Sequence, residues 1–150
     1  MKIIKTACAL ALPAILLIYS SCKKDTPISN TPTIKFVSIA PNPAQKYVDT
    51  VKIVISYTDG DGDLGVDSPD VKNLYVTDSR NNVTSQFRIP QLAPTGSNIA
   101  IQGNLDIVLS PQGFVDDSHT TETATYSIYL TDRAGNKSNT VQTSALTINQ

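Results

Sequence analysis

Two stretches of the chain decide the fold: TVKIVISY at residues 50–57 and IAIQGNLDIVL at residues 99–109. In the first stretch every second residue is apolar, namely Val51, Ile53, Ile55 and Tyr57. The second stretch repeats this alternation and is interrupted only at Gly103, which predicts a bulge or a tight bend there. Because successive side chains of a strand point to opposite faces, both stretches predict half-buried β-strands.

Runs of the same kind continue to residue 148, and no convincing helical period follows residue 22. We expect about seven strands: Thr33–Ile39, Thr50–Tyr57, Val71–Thr77, Val83–Ile89, Ile99–Leu109, Thr123–Thr131 and Asn139–Ile148. In the last of them Val141 is out of phase with Leu146 and Ile148, which predicts a bulge between them. The predicted fold class is all-β, an immunoglobulin-like two-sheet sandwich without the Trp of antibody domains.

The N-terminal segment MKIIKTACALALPAILLIYSSC has the three parts of a secretory signal peptide. Lys2 and Lys5 make the positive start, and an apolar stretch follows that is shorter than the roughly 20 residues a membrane span needs. We therefore expect a lipoprotein signal peptide at residues 1–21, a flexible tether at 22–32 and one folded domain at 33–150. Cleavage before Cys22 would remove Cys8 and leave a single cysteine, so no intrachain disulfide is expected.

The junction Ser21-Cys22 resembles the lipobox of bacterial lipoproteins, and SCKKD at residues 21–25 resembles the start of Bacteroidota-type surface lipoproteins. This resemblance implies lipidation of Cys22 and a lipid anchor in the bacterial outer membrane, on either its periplasmic or its surface-exposed side. Tyr19 departs from the Leu that is usual at its place in the box. The alternative is an ordinary cleaved signal or an uncleaved anchor.

The segment from residue 59 to residue 70 holds five acids: Asp59, Asp61, Asp63, Asp67 and Asp70. Carboxylates at alternate positions with glycines between them can gather oxygens around calcium, which prefers six to eight oxygen ligands. On a calcium-loop template the acids take the first, third, fifth, ninth and twelfth places, and the carbonyl of Gly65 takes the seventh. Leu64 stands where the template has Gly and strands flank the segment, which excludes an EF-hand.

We expect this loop to bind calcium as a cofactor, with Asp132, or Asp116 and Asp117, closing the site from neighbouring loops. The alternative is a solvated acidic turn in which Asp and Gly occur for backbone reasons alone. A catalytic metal is not expected, because no histidine lies near the loop in the sequence.

Two further resemblances span the domain. YSIYLTDRAGNKSNTV at residues 126–141 resembles the closing hairpin of bacterial immunoglobulin-like surface modules, with Gly135 supplying the positive φ of the turn. YTDGDGDLG at residues 57–65 resembles a loop that recurs in lipoproteins of the same bacterial group. These resemblances imply a fold and a location, and they imply no activity.

Composition and motifs narrow the functional classes. With 12 basic and 13 acidic side chains and no basic cluster, the chain has no footprint for nucleic acid. The single histidine, His119, lies in the polar run VDDSHTTE, which predicts a solvated loop instead of a catalytic triad. We expect a non-enzymatic structural or binding module at the envelope, with the membrane as one partner and an envelope protein or a glycan as another. The alternative is a calcium-dependent glycan- or protein-binding surface lipoprotein.

Overall fold

The computed structural model describes residues 27–150. The predicted signal peptide, Cys22 and the first part of the predicted tether lie outside the described residues. Residues 27–150 contain ten β-strands and no helix: β1 (Thr33–Ala40), β2 (Ala44–Gln45), β3 (Val51–Asp59), β4 (Leu74–Asp78), β5 (Thr84–Phe87), β6 (Ile101–Leu109), β7 (Thr121–Ala124), β8 (Tyr126–Leu130), β9 (Val141–Gln142) and β10 (Leu146–Asn149). The all-β prediction is confirmed.

The strands form three sheets around one core. Two are antiparallel, with the orders β1-β3-β6 and β5-β4-β8-β9, and the third is small, with β10 between β2 and β7. The inward residues of all three sheets belong to a single buried cluster that includes Ile53, Ile107, Ile128 and Ile148. This arrangement is consistent with a β-sandwich, and its immunoglobulin-like character stays a prediction.

Two of the predicted strands each divide between two sheets. The expected strand at residues 123–131 breaks at Thr125, because β7 pairs with β10 whereas β8 pairs with β4. The expected final strand breaks in the same way between β9, which pairs with β8, and β10. The phase change between Val141 and Leu146 therefore marks a change of sheet, and the predicted bulge is wrong.

The predicted bulge at Gly103 is wrong as well. The register of β3 and β6 runs without a shift from Val51 opposite Leu109 to Asp59 opposite Ile101. Gly103 lies directly opposite Tyr57, and a Cβ on Gly103 would come within 3.0 Å of the Tyr57 hydroxyl oxygen. The glycine therefore makes room for a neighbouring ring.

Strand β3 defines the two ends of the domain. Its C-terminal end, with the loop at residues 59–66 and the turn at 131–137, is called the acidic pole below. At its N-terminal end the backbone N–H of Tyr47 donates to the carbonyl oxygen of Gln112, and the loops at residues 44–49 and 110–118 form the far pole. Nine residues of strand separate the poles, which corresponds to roughly 27 Å. None of the described residues forms a helix long and apolar enough to cross a membrane.

Candidate metal centre

Three aspartates converge at the acidic pole. Asp59 is the last residue of β3, Asp63 follows in the loop, and Asp132 comes two residues after β8. Each offers a carboxylate oxygen, and the three oxygens all lie within 4.8 Å of one another. Two oxygens that bind one calcium ion at 2.3–2.6 Å lie at most about 5 Å apart, so the spacing fits a shared ion.

The alternation of β3 carries Asp59 into the interior. Val51, Ile53 and Ile55 point into the core, and Asp59 continues the same face four residues later with no exposed surface. Its Oδ2 accepts a hydrogen bond of 3.0 Å from the backbone N–H of Leu64. The Leu64 side chain is itself fully buried and belongs to the core cluster. Leu64, the residue that departs from the EF-hand template, therefore packs in the core beneath the acidic loop.

Two glycines give the loop its path. Gly62 has a φ of 72° and Gly65 a φ of 85°, in the left-handed region that glycine adopts most readily. A Cβ on Gly62 would lie 2.4 Å from the carbonyl oxygen of Ile99, and a Cβ on Gly65 would lie 2.1 Å from that of Pro90. The loop therefore packs tightly against the neighbouring backbone, and glycine is required at both places.

The turn after β8 holds the loop from the other side. Asp132 accepts from the backbone N–H of Asn136 at 2.7 Å and from its side-chain amide at 2.8 Å. The backbone N–H of Ala134 donates to Asp63 Oδ2 at 3.0 Å. Arg133 donates through its guanidinium to the carbonyl oxygens of Gly65 at 2.8 Å and Gly62 at 3.2 Å. The two motifs at residues 57–65 and 132–136 thus form one site, although they are far apart in the sequence.

Several carboxylate oxygens at this site lack partners. The Oδ1 atoms of Asp59, Asp61 and Asp63 are buried, and none of the described residues donates a hydrogen bond to them. Arg133 donates to carbonyl oxygens of the loop and leaves these three carboxylate oxygens unpaired. A buried carboxylate oxygen without a partner is costly, so a cation placed among these three oxygens would be favourable.

The same crowding raises the proton affinity of the cluster. Burial, followed by the negative charges of Asp61, Asp63 and Asp132, raises the pKa of Asp59 to about 6. Burial and the charges of Asp132 and Asp61 also raise the pKa of Asp63. Both directions show that a positive charge among these oxygens would be favourable.

Of the six predicted ligand residues, the structure brings four to the site and leaves two outside it. Asp59, Asp63 and Asp132 come together as expected, and Asp61 places one buried oxygen close enough for its charge to act on Asp59. Asp67 and Asp70 are exposed and do not belong to the convergent group. They follow Val66, whose backbone bridge to Pro90 carries the chain away from the site.

The structure also locates the other expected ligands, the Gly65 carbonyl and the pair Asp116 and Asp117. The Gly65 carbonyl, the template's seventh ligand, instead accepts from Arg133. The alternative closing pair, Asp116 and Asp117, lies at the far pole, where Asp117 forms an ion pair of 2.5 Å with Lys46. Asp132 therefore closes the acidic pole. The holding roles of Arg133 and Asn136 were missed from the sequence, although the Asp-x-Ala-Gly-Asn resemblance marked their position.

The far pole holds a second polar cluster that the sequence did not reveal. Arg80, whose side chain is 8% exposed, pairs with Asp78 at 2.6 Å and with Glu122 at 2.5 Å. It also donates to the carbonyl oxygen of Gly113 at 2.8 Å. His119 is exposed nearby in sequence and lies 3.5 Å from the equally exposed Asp116, as expected for a solvated loop. These charges are mutually satisfied, unlike those of the acidic pole.

Comparison with protein-family models, curated protein sequences and solved structures finds no match for this chain.

Proposed function

We propose that the protein is a lipid-anchored, non-enzymatic envelope module whose β-sandwich binds one calcium ion at the acidic pole. The observation that carries the calcium part is the convergence of Asp59, Asp63 and Asp132 with buried, unpartnered carboxylate oxygens. A bound ion would neutralise charges that otherwise repel one another in a buried place. It would also join the end of β3, the acidic loop and the turn after β8 into one rigid unit.

The donor set favours calcium over transition metals. The three converging groups are carboxylates, and hard cations such as calcium and magnesium prefer oxygen ligands. Magnesium demands a near-ideal octahedron and retains several waters, whereas calcium accepts irregular sets with water and carbonyl oxygens. We expect millimolar or tighter calcium binding and at least tenfold weaker magnesium binding.

Calorimetric titration of the full chain in detergent tests the site. We expect about one calcium ion per chain and a loss of at least tenfold in affinity for Asp59→Asn. Asp67→Asn is the matched control, because it removes an exposed acid from the same segment. Its affinity should stay within about twofold of the parent, since a screened surface charge contributes little. No heat with the parent chain, or an equal loss for both variants, would contradict the proposal.

The anchor part of the proposal rests on the sequence around Cys22. Multiple acyl chains on that cysteine would hold the domain stably at the outer membrane. We expect Cys22→Ala to leave the membrane fraction after a carbonate wash, and retention there would refute the anchor. Protease treatment of intact cells would separate the periplasmic from the surface-exposed orientation.

The burial of the acids supports a non-enzymatic role. Asp59 has no exposed surface, so a substrate cannot reach it without opening the loop. A hydrolase needs its perturbed acids in an accessible pocket. The site is therefore better suited to stabilising the fold than to chemistry.

A second candidate function, capture of a glycan or a protein, is favoured by the far pole. Tyr47 is 64% exposed at a loop end, and it borders a groove of about 570 Å³ lined in part by Val83, Val108 and Val115. Exposed tyrosine is common at binding hot spots. A glycan array probed with the parent and with Tyr47→Ala tests this candidate. Equal signals for both chains would count against ligand capture at this pole.

A further inference from the structure

The chain enters the domain against the acidic loop. β1 begins at Thr33, which pairs with Thr58 near the end of β3. Before β1, the carbonyl oxygen of Ser29 accepts a hydrogen bond of 2.8 Å from the backbone N–H of Gly60. Gly60 stands between Asp59 and Asp61 in the sequence. The residues before β1, 27–32, are called the leading segment, and this segment is thus attached to the part of the loop that carries the proposed ion ligands.

The close approach of the two backbones requires glycine at this place. A Cβ on Gly60 would lie 2.3 Å from the carbonyl oxygen of Ile28 and 2.7 Å from that of Ser29. Real Cβ atoms do not approach other atoms so closely, so any side chain at Gly60 would push the leading segment away.

The contact with Gly60 is the outermost attachment of the leading segment in the described residues. Residues 27–31 are exposed, and the first buried residue is Pro32. The other hydrogen bond in the segment is local, from the backbone N–H of Thr31 to the Ser29 hydroxyl. Loss of the Gly60 contact would therefore move the first fixed residue from Ser29 to Pro32.

We propose that calcium at the acidic pole clamps residues 28–29 to the domain and that loss of calcium releases them. The inference rests on the proposed calcium site. Without a cation, the carboxylates on both sides of Gly60 repel one another, the loop opens, and the Gly60 N–H moves away from Ser29. Release would lengthen the connection to the preceding chain by three residues, up to about 10 Å. Calcium would then set the reach and the stiffness with which the domain is held.

A nitroxide label on the leading segment measures the clamp. The label is attached to Asn30→Cys in the full chain in detergent, with Cys8→Ser and Cys22→Ser removing the native thiols. We expect calcium to raise the rotational correlation time of the label about threefold or more over the value in EGTA, because a released segment moves on the timescale of a free terminus. A label on Ser110→Cys at the far pole should not respond.

Two variants separate the clamp from the site. With Asp59→Asn, which removes one of the two charges beside Gly60, the Asn30 label should move slowly in EGTA as well and should no longer respond to calcium. With Gly60→Ala, which keeps every acid, calcium should still bind by calorimetry while the label stays mobile. The coupling between the calcium site and the contact is reciprocal. Calcium affinity in Gly60→Ala should therefore fall by the same factor by which calcium strengthens the contact between Gly60 and Ser29 in the parent.

Each outcome decides a separate point. If calcium binds the parent and the Asn30 label does not slow, the clamp is wrong and the calcium site stands. If calcium does not bind, the proposed site fails and the clamp fails with it. A Gly60→Ala label that slows as much as the parent label would overturn the role of the Gly60 contact. Should Gly60→Ala unfold, the response of the parent label decides by itself.

Discussion

Asp59→Asn should stabilise the metal-free protein, and calcium should reduce that advantage over the parent. In the metal-free protein at pH 7.5 Asp59 is ionised, although burial and its acidic neighbours raise its pKa from 3.8 to about 6. This difference in pKa corresponds to about 3 kcal/mol of destabilisation by the charged form. The amide of asparagine carries no charge, so the variant should be about 3 kcal/mol more stable than the parent in EGTA.

The pH dependence of this difference follows from linkage. A raised pKa in the folded state means that the contribution of Asp59 to stability is fully present below pH 3.8 and is lost as the pH rises through about 6. The free energies of unfolding of parent and variant should therefore be nearly equal at pH 3.5. They should diverge between pH 4 and pH 6.5 and stay about 3 kcal/mol apart above pH 7.

Calcium should raise the stability of the parent more than that of Asp59→Asn. At a free concentration 100 times the parent's dissociation constant, the parent should gain about 2.7 kcal/mol, and Asp59→Asn, whose affinity is at least tenfold weaker, should gain at most about 1.4 kcal/mol. Urea unfolding followed by fluorescence or circular dichroism measures both effects, and a 3 kcal/mol change corresponds to a midpoint shift of about 1–2 M. A variant less stable than the parent in EGTA at pH 7.5 would refute the reasoning from buried charge. Asp67→Asn should change stability by less than about 0.5 kcal/mol in either condition.

Four further substitutions test the parts of the fold that support the two poles. Leu64→Ala should cost about 3 kcal/mol in urea unfolding and weaken calcium binding, because it opens a cavity beneath the acidic loop. Glu122→Gln should cost about 2 kcal/mol at pH 7, since it weakens the pairing of the buried Arg80. Burial opposes ionisation of Glu122, but two backbone N–H groups and the Arg80 guanidinium hold its pKa below the usual value. The difference from the parent should therefore fade in acid, and an equal cost at pH 3 and pH 7 would contradict this. Gly65→Ala should cost more than about 2 kcal/mol and Gly135→Ala only about 1 kcal/mol, because both have a positive φ but only Gly65 lies against a carbonyl oxygen. Equal melting temperatures for the two alanine variants would refute the packing argument.

The strands that bury one face could be recognised from local pattern. The alternation of Val51, Ile53 and Ile55 predicts which side chains enter the core, and the structure confirms it. The turn at residues 132–137 was predicted from its residues, and Gly135 has a φ of 89°. In both cases the determining interactions lie within a few residues of one another, so sequence order alone carries the information.

Sheet membership could not be recognised in this way. Tyr126 and Ala124 stand two residues apart and share an inward face, yet they belong to strands of different sheets. Which sheet a strand joins depends on the partner that offers free backbone groups, and that partner is distant in sequence. A period of two residues contains no information about it.

The candidate metal centre was likewise predictable from the sequence only in part. Spacing in the sequence predicted the acids at residues 59–63 as ion ligands, and Asp132 as one way of closing the site, but it treated Asp67 and Asp70 as equals of Asp59. The buried position of Asp59 follows from the inward face of β3, which is a local property. Its meeting with Asp132 follows from the packing of two sheets, and the contact between Gly60 and Ser29 follows from the way the chain enters β1. The sequence by itself determined the strand faces, the turn and the supply of carboxylates. Only the tertiary structure decided which carboxylates share one buried point, because convergence depends on contacts between segments that local spacing does not describe.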